Sequence, residues 1–315
     1  MENDILLSTL TKSQITFKTN FDLTNKSTMK IHSTAKLFII PKTFDQLQQA
    51  IQICSENKTK FFILGGGSNI IFPDITYDGA IISTDQLNNI QIINNNPLLI
   101  TCSCGTPMSA LVNFCTQHSI SGIEEFAGLP GTIGGALYMN ARCFEKSICE
   151  NLYQTKHLDI SDGHFNLVTQ NFDSTLWDYK KSPFQSKQLE NPQKILLSGT
   201  FCLSQLPLEN ITLIQQKCKY YINERISKGH FKYPSAGSVF KNNHDFGKPS
   251  GKLIDEAGLK GLEYGGAQIA PFHANFIINK NNATSQDIKT LVKKVQNEVK
   301  NKFGFNLEPE ILFLE

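Results

Sequence analysis

The stretch Glu124–Ala141, EEFAGLPGTIGGALYMNA, decides how the rest of the chain is read. Gly128, Gly131, Gly134 and Gly135 fall close together in it, with Pro130 and Thr132 between them. Glycine reaches positive φ and lets backbones approach closely. Successive bare N–H groups form a concave site for an anion such as phosphate. No charged side chain interrupts the run from Phe126 to Asn140, so an anion there would be held by backbone dipoles. The alternative reading of the same spacing is a tight loop that feeds a closely packed helix.

Outside that stretch the composition is that of an ordinary globular protein. The chain has 315 residues, enough for two or three lobes with cores of their own. A hydrophobic content of 40% with 18% charged residues fits that class. A net charge of +2, with no long block of like charges, argues against a nucleic-acid or membrane surface. No apolar run approaches a membrane span, and the first residues lack the pattern of a secretory signal. The eight cysteines form no CxxC pair, which argues against zinc and for thiols in a reducing, cytoplasmic compartment.

In chain order, residues 1–27 show little periodicity and read as a loosely attached leader. Thr43 and Gln46 open a helix as a capping box, followed by Phe44, Leu47, Ile51 and Cys54 at helical spacing. Phe61–Leu64 is a short apolar strand that runs into Gly65-Gly66-Gly67-Ser68-Asn69, a second glycine corner. It lacks the third glycine and the following helix of the dinucleotide fingerprint, which disfavours a Rossmann domain. Leu98–Cys102 reads as a strand, and Thr106-Pro107 as the cap and first residue of a helix. Asp162-Gly163 separates two strands as a hairpin turn, and Ile195–Leu203 is a further strand. Beyond Leu206-Pro207, Ile211, Ile214, Cys218, Ile222 and Ile226 mark one face of a helix. Ser250 is expected to cap a short helix. Thr284 or Ser285 caps the most regular helix, with Ile288, Leu291, Val292, Val295, Val299 and Phe303 inward and Gly304 as its stop. Leu307–Leu314 reads as a last strand. The whole reads as α+β.

Ser238 lies between Gly237 and Val239, three residues before Lys241. A serine hydroxyl donates a proton usefully beside a cation or within a hydrogen-bond network, and Lys241 is the nearest cation in sequence. The other reading is a turn serine followed by a solvated lysine. No G-x-S-x-G elbow surrounds Ser238, so hydrolase chemistry is disfavoured. Position alone does not separate Glu310 from a surface carboxylate. The histidines show no metal or triad grouping, and His273 reads as a packed side chain at a strand entrance.

Six segments occur in one order: GGGSN at 65–69, GLPGTIGGALYMNA at 128–141, PSAGSVFKN at 234–242, GKLIDEAGLKG at 251–261, GGAQIAPFHANFIIN at 265–279 and LEPEI at 307–311. Together they closely resemble the UDP-N-acetylenolpyruvoylglucosamine reductase family, flavoenzymes that make UDP-N-acetylmuramate for peptidoglycan. The resemblance runs from about Ser27 to the C-terminus. It implies an FAD-binding region of vanillyl-alcohol-oxidase type, built of two α+β subdomains over residues 28–205, and a C-terminal α+β substrate-binding domain over 206–315. By the same resemblance Gly65, Gly66, Gly67, Ser68 and Asn69, with Gly128, Pro130, Gly131, Thr132, Gly134 and Gly135, hold the FAD pyrophosphate. NADPH reduces the flavin, and a hydride then passes to C3 of the enolpyruvyl group of UDP-N-acetylglucosamine enolpyruvate. Ser238 corresponds to the proton donor to C2 and Glu310 to the acidic residue. Lys180 is the third catalytic position, and Tyr179, Lys241 and Asn242 contact substrate. No metal, nucleic acid, membrane insertion or obligate protein partner is implied.

The chain departs from the family pattern at three places. Tyr179-Lys180-Lys181-Ser182 stands where the family has Tyr-Arg-x-Ser, so a point charge replaces a bidentate fork. His32-Ser33 replaces a Gly-Gly pair near the flavin side. Arg142-Cys143-Phe144 follows MNA, where Arg142 is either a substitute cation near the pyrophosphate or a solvent-facing arginine. The competing readings are another flavin oxidoreductase of the same superfamily and a flavin or nucleotide-sugar binding protein with impaired turnover.

Overall fold

The computed structural model describes residues 2–186 and 188–315, without the side chains of residues 2–4. The chain divides into two compact units, each assembled from separated segments. One holds Met1–Thr19, Lys36–Gly66 and Asp78–Asn223, and the other holds Asn20–Ala35, Gly67–Tyr77 and Glu224–Glu315.

The first unit carries two sheets. In one, the strands follow the order Thr16–Asp22, Thr34–Ile40, Tyr77–Ser83 and Phe61–Leu64. The last two run parallel, Phe61 opposite Ala80 and Leu64 opposite Ser83. Helix Phe44–Glu56 covers this sheet and begins as the sequence indicates, with Thr43 accepting from the Gln46 amide at 3.1 Å. The Gln46 side chain does not close the box on Thr43; it accepts from the Lys42 amide one residue earlier. The second sheet is antiparallel, in the order Asn166–Asn171, Leu152–Asp159, Lys194–Gln205, Leu98–Ser103 and Ile90–Asn95. The expected hairpin is its outer edge, turning at Gly163 with φ +83°. Helices Met108–Gln117 and Ile133–Tyr138 share its core with Ile100, Phe126 and Phe201.

Several expectations change in this unit. The segment anticipated as a loose leader forms helix Glu2–Lys12 and edge strand Thr16–Asp22, and Leu6, Leu10 and Ile15 are buried in the core under the first sheet. Pro107, not Thr106, is the N-cap residue of the following helix, because the Thr106 hydroxyl donates instead to Asn89 O. Helix Ile211–Ser227 buries a different face from the one its isoleucines mark. Ile214 and Cys218 are inside, but Ile222 and Ile226 are 37% and 54% exposed, while Arg225 is only 6% exposed. Ile214, Cys218, Tyr221 and Arg225 keep the helical spacing, so an arginine replaces an isoleucine on the covered stripe.

The second unit is an antiparallel sheet in the order Ser235–Ser238, Phe276–Asn279, Ala267–Ile269 and Glu263–Tyr264, backed by helix Ser285–Phe303. Thr284 and Asp287 close a reciprocal capping box, and Gly304 ends the helix at φ +78°. Ser250 is the first residue of helix Ser250–Glu256 rather than its cap, since its hydroxyl donates to Lys241 O. The anticipated strand Leu307–Leu314 shrinks to Leu312–Phe313, parallel to Ile70–Ile71, and the chain before it changes partner, with Pro309 in an isolated antiparallel bridge to Phe240. The segment Gly67–Tyr77 therefore folds with the C-terminal residues, which the anticipated boundaries 28–205 and 206–315 do not foresee.

Two outcomes check this packing. Leu10→Ala should destabilise the protein by about 2–5 kcal/mol in urea denaturation, whereas a loosely attached leader would give no change. His230 and His273 pack 5.7 Å apart, and neither His230 Nε2 nor His273 Nδ1 has a partner among the described residues. Burial lowers the His230 pKa from 6.5 to about 4. The unfolded chain thus takes up that proton near pH 6.5 and the folded one only near 4. Stability contributed by neutral His230 is full above pH 6.5 and falls between those values. Relative to wild type, His230→Phe should show a shallower loss of stability over that window in pH-dependent denaturation.

Candidate active site

Within the first unit, the two glycine corners lie against each other. Gly65 and Gly66 leave strand Phe61–Leu64 and meet Gly131 and Thr132. A Cβ on Gly66 would lie 2.6 Å from Gly131 Cα, and one on Gly65 would lie 2.6 Å from Thr132 Oγ1. Gly128 and Gly131 take φ +78° and +109°, conformations that side chains seldom adopt. The loop is pinned from behind: Met108 N donates to Gly131 O at 3.0 Å, Ile133 N to Thr106 O at 2.9 Å and Gly134 N to Cys104 O at 2.8 Å. Thr132 caps helix Ile133–Tyr138. Among the described residues the amides of Gly65, Gly66 and Thr132 have no hydrogen-bond partner. A Cβ on Gly135 would meet only Thr132 Oγ1, at 3.6 Å. The stretch is thus a tight loop feeding a packed helix, and together with Gly65 and Gly66 it forms a cradle of bare backbone with unpartnered amides. That donor set fits a pyrophosphate.

The far end of the same helix carries the turn Tyr179–Ser182. Ser182 Oγ donates to Tyr138 O at 2.7 Å, and Asn140 Nδ2 donates to Asp178 O at 2.8 Å. Gln185 Nε2 donates to both Tyr138 O and Lys180 O, at 3.0 and 3.1 Å. Lys180 is held in this turn at φ +57°. Arg142 is directed elsewhere. It begins a hairpin whose turn residues Phe144 and Glu145 have positive φ, and its guanidinium bonds Glu145 at 2.7 Å and Ser147 at 3.3 Å. His32 is exposed, with Nδ1 3.3 Å from Thr24 Oγ1.

In the second unit, Ser238 ends strand Ser235–Ser238 at an irregularity, where Ser235 pairs Ile278 but Ser238 pairs Phe276. Gly237, at φ +76°, makes the bend. The sequence reading missed Asn275, which holds the outgoing chain. Asn275 is 5% exposed; its carbonyl accepts from Val239 N at 2.8 Å, its Oδ1 from Phe240 N at 3.0 Å, and its Nδ2 donates to Phe240 O at 2.8 Å. A polar residue inside the apolar run ANFII is the signal that points to it. Glu310 N donates to Val239 O at 2.7 Å, so Ser238 and Glu310 flank one backbone hydrogen bond despite their separation in sequence. Lys241 lies beside them, yet its Nζ bonds Glu308 Oε1 at 2.6 Å, so its charge is matched there rather than at Ser238. The Lys241 side chain is 18% exposed, so it is not the solvated lysine of the alternative reading. Asn242 Oδ1 accepts from Ser250 N at 2.9 Å. Gly67 packs on Lys26 O, and Asn69 bonds the Glu310 segment.

The eight cysteines are free thiols, and burial raises Cys54, Cys102 and Cys104 to about 12. Burial also lowers His273, which packs on Phe276 with ring centroids 4.5 Å apart, as its strand-entrance reading implies. Among the described residues no group of three or more His, Cys, Asp and Glu side chains is placed to hold a metal ion, and no helix is long and apolar enough to cross a membrane.

The class is that of a flavoprotein: residues 35–166 match the FAD-binding domain. Residues 229–314 match the C-terminal domain of UDP-N-acetylenolpyruvoylglucosamine reductase. The UDP-N-acetylenolpyruvoylglucosamine reductase of Treponema denticola is 45% identical over 290 residues, covering 90% of this chain and 89% of that one. That of Borreliella burgdorferi is 42% identical over 294 residues, covering 93% of each. The crystal structure of UDP-N-acetylenolpyruvylglucosamine reductase from Thermus caldophilus superposes with a TM-score of 0.74 at 26% identity, over 96% of this chain and 99% of that one. The chain belongs to the UDP-N-acetylenolpyruvoylglucosamine reductase family, a family of FAD-dependent oxidoreductases.

Gly66→Ala and Gly135→Ala separate the two roles of the cradle. Gly66→Ala should lower both thermal stability and FAD affinity, since its Cβ has no space. Gly135→Ala should keep the apoprotein's stability and still weaken FAD binding in a fluorescence titration. Unchanged FAD affinity in Gly135→Ala would place the pyrophosphate elsewhere.

Proposed function

We propose that this chain carries out the NADPH-dependent, FAD-mediated reduction of UDP-N-acetylglucosamine enolpyruvate to UDP-N-acetylmuramate, in the cytoplasm, as a step of peptidoglycan precursor synthesis. The observation that carries this reading is the Glu310 N–Val239 O bond, which ties the backbone of Glu310 to the residue next to Ser238 although the two lie far apart in sequence. Family membership supplies the reaction to which such a pair is suited.

In this reading Gly65, Gly66, Gly67 and Ser68, with the loop Gly128–Gly135, hold the cofactor's pyrophosphate through backbone donors. FAD, when bound, supplies the two-electron relay between NADPH and the enolpyruvyl group. Lys180 meets the substrate carboxylate as a point charge. It opposes the negative charge that builds at C2 and the carboxylate when C3 is reduced. Ser238 Oγ–H gives its proton to C2, and Glu310 stands beside that transfer. Tyr179, Lys241 and Asn242 contact the nucleotide sugar. Asn275 keeps Ser238 in place by fixing both polar groups of Phe240.

Rapid mixing separates the two half-reactions. Ser238→Ala should leave flavin reduction by NADPH close to wild type and slow reoxidation by the enolpyruvyl sugar about 10²–10⁴-fold. Equal loss in both halves would contradict the assignment. Lys180→Ala should slow the same half-reaction about 10²–10³-fold, while Lys180→Arg stays active. An unaltered rate in Lys180→Ala would remove Lys180 from the mechanism.

A further inference from the structure

Asn69 closes the motif GGGSN, and its side-chain amide is bonded to the C-terminal segment. Asn69 Nδ2 donates to Glu310 O at 2.9 Å, and its own carbonyl accepts from Leu312 N at 3.0 Å. These two bonds grip both sides of Ile311. The pairing continues as the parallel ladder Ile70–Ile71 with Leu312–Phe313, and Leu314 N donates to Ile71 O at 3.0 Å. On its other side Glu310 is tied to Val239, the neighbour of Ser238. The Glu310 main chain is therefore held at its N–H by the Ser238 strand and at its C=O by Asn69. Pro309, which precedes it, has no N–H to add to a ladder. Glu310 lies outside any regular strand, and these bonds hold both polar groups of its backbone.

We propose that the Asn69 side chain is a positioning group for Glu310. The proposal rests on the reading that Glu310 takes part in the reduction of the enolpyruvyl sugar. Without the Nδ2–H donor, the Glu310 main chain loses the anchor at its carbonyl, and the carboxylate it carries shifts from its approach. A displacement near 1 Å at a reacting group costs about a hundredfold in rate.

The test uses holoenzyme carrying Asn69→Ala, Asn69→Asp, Glu310→Gln or the double change Asn69→Ala with Glu310→Gln. Asn69→Asp keeps the side chain's shape but has no N–H to give, so it reports the same loss if Asn69→Ala folds poorly. FAD affinity is read by fluorescence titration of the apoprotein, and the two half-reactions by rapid mixing with NADPH and with UDP-N-acetylglucosamine enolpyruvate. FAD affinity and flavin reduction should stay within about threefold of wild type in both single Asn69 variants, with reoxidation slowed about 10–100-fold. The double variant should be no slower than Glu310→Gln alone, as expected for residues acting as one unit. Loss of FAD affinity with normal reoxidation of the bound fraction would overturn the proposal, as would additive losses in the double variant. If Glu310→Gln reoxidises normally, the underlying reading of Glu310 fails and the proposal falls with it. If Glu310→Gln is slow and both Asn69 variants are normal, only the proposal fails.

Discussion

Gly66 and Gly131 approach so closely that a Cβ on the first would lie 2.6 Å from the Cα of the second. That contact requires two bare backbones, and the rest of the first unit is arranged around it. Gly131 and Gly134 are bonded through Met108 N and Cys104 O to the chain that leaves strand Leu98–Ser103. Thr132 starts the short helix from the same point, and the far end of that helix anchors the turn of Lys180. One helix therefore links the glycine cradle to a cation without either being a neighbour of the other in sequence. A side chain at the contact would part the two corners and carry the Lys180 turn with them.

The second unit reaches a comparable rigidity by different means. The segments of Ser238 and Glu310, its proposed reacting groups, are held by side-chain amides that imitate backbone. Asn275 supplies both halves of a peptide pair to Phe240, and Asn69 supplies a donor to Glu310. A buried amide with all its groups bonded is costly to disturb, because any broken bond leaves a polar group unpaired. The glycines allow two backbones to meet, whereas the asparagines fix the chain beside Ser238 and Glu310. The bend at Gly237 joins the two strategies at Ser238.

Much of this was legible in the sequence where the signal is local. The Thr284 cap, the Gly304 stop and the Asp162-Gly163 hairpin depend on neighbouring residues and appear as read. The burial of helix Glu2–Lys12 was not legible, because its anchors Leu6 and Leu10 are few among polar residues. Helix Ile211–Ser227 misled in the opposite sense, since its isoleucines mark a stripe that leaves the core halfway along while Arg225 stays covered. Unit boundaries were hidden for a topological reason: Gly67–Tyr77 belongs with strand Leu312–Phe313, which no local pattern reveals. For the candidate site, residue types and motifs pointed to Ser238, Glu310 and the cradle. The amides that hold them, Asn275, Gln185 and Asn69 in its bond to Glu310, became visible only through bonds to distant backbone.

The central claim is that reducing equivalents travel from NADPH to C3 of an enolpyruvyl nucleotide sugar on this chain. The most direct measurement follows a label. FAD-loaded protein is incubated without oxygen with UDP-N-acetylglucosamine enolpyruvate and NADPH deuterated at C4, and the product is analysed by mass spectrometry and NMR. The account predicts one UDP-N-acetylmuramate formed for each NADPH consumed, with whatever deuterium escapes exchange from the reduced flavin found at C3 of the lactyl group and none at C2. NADPH consumption that is independent of the sugar, or a label found at C2, would contradict it.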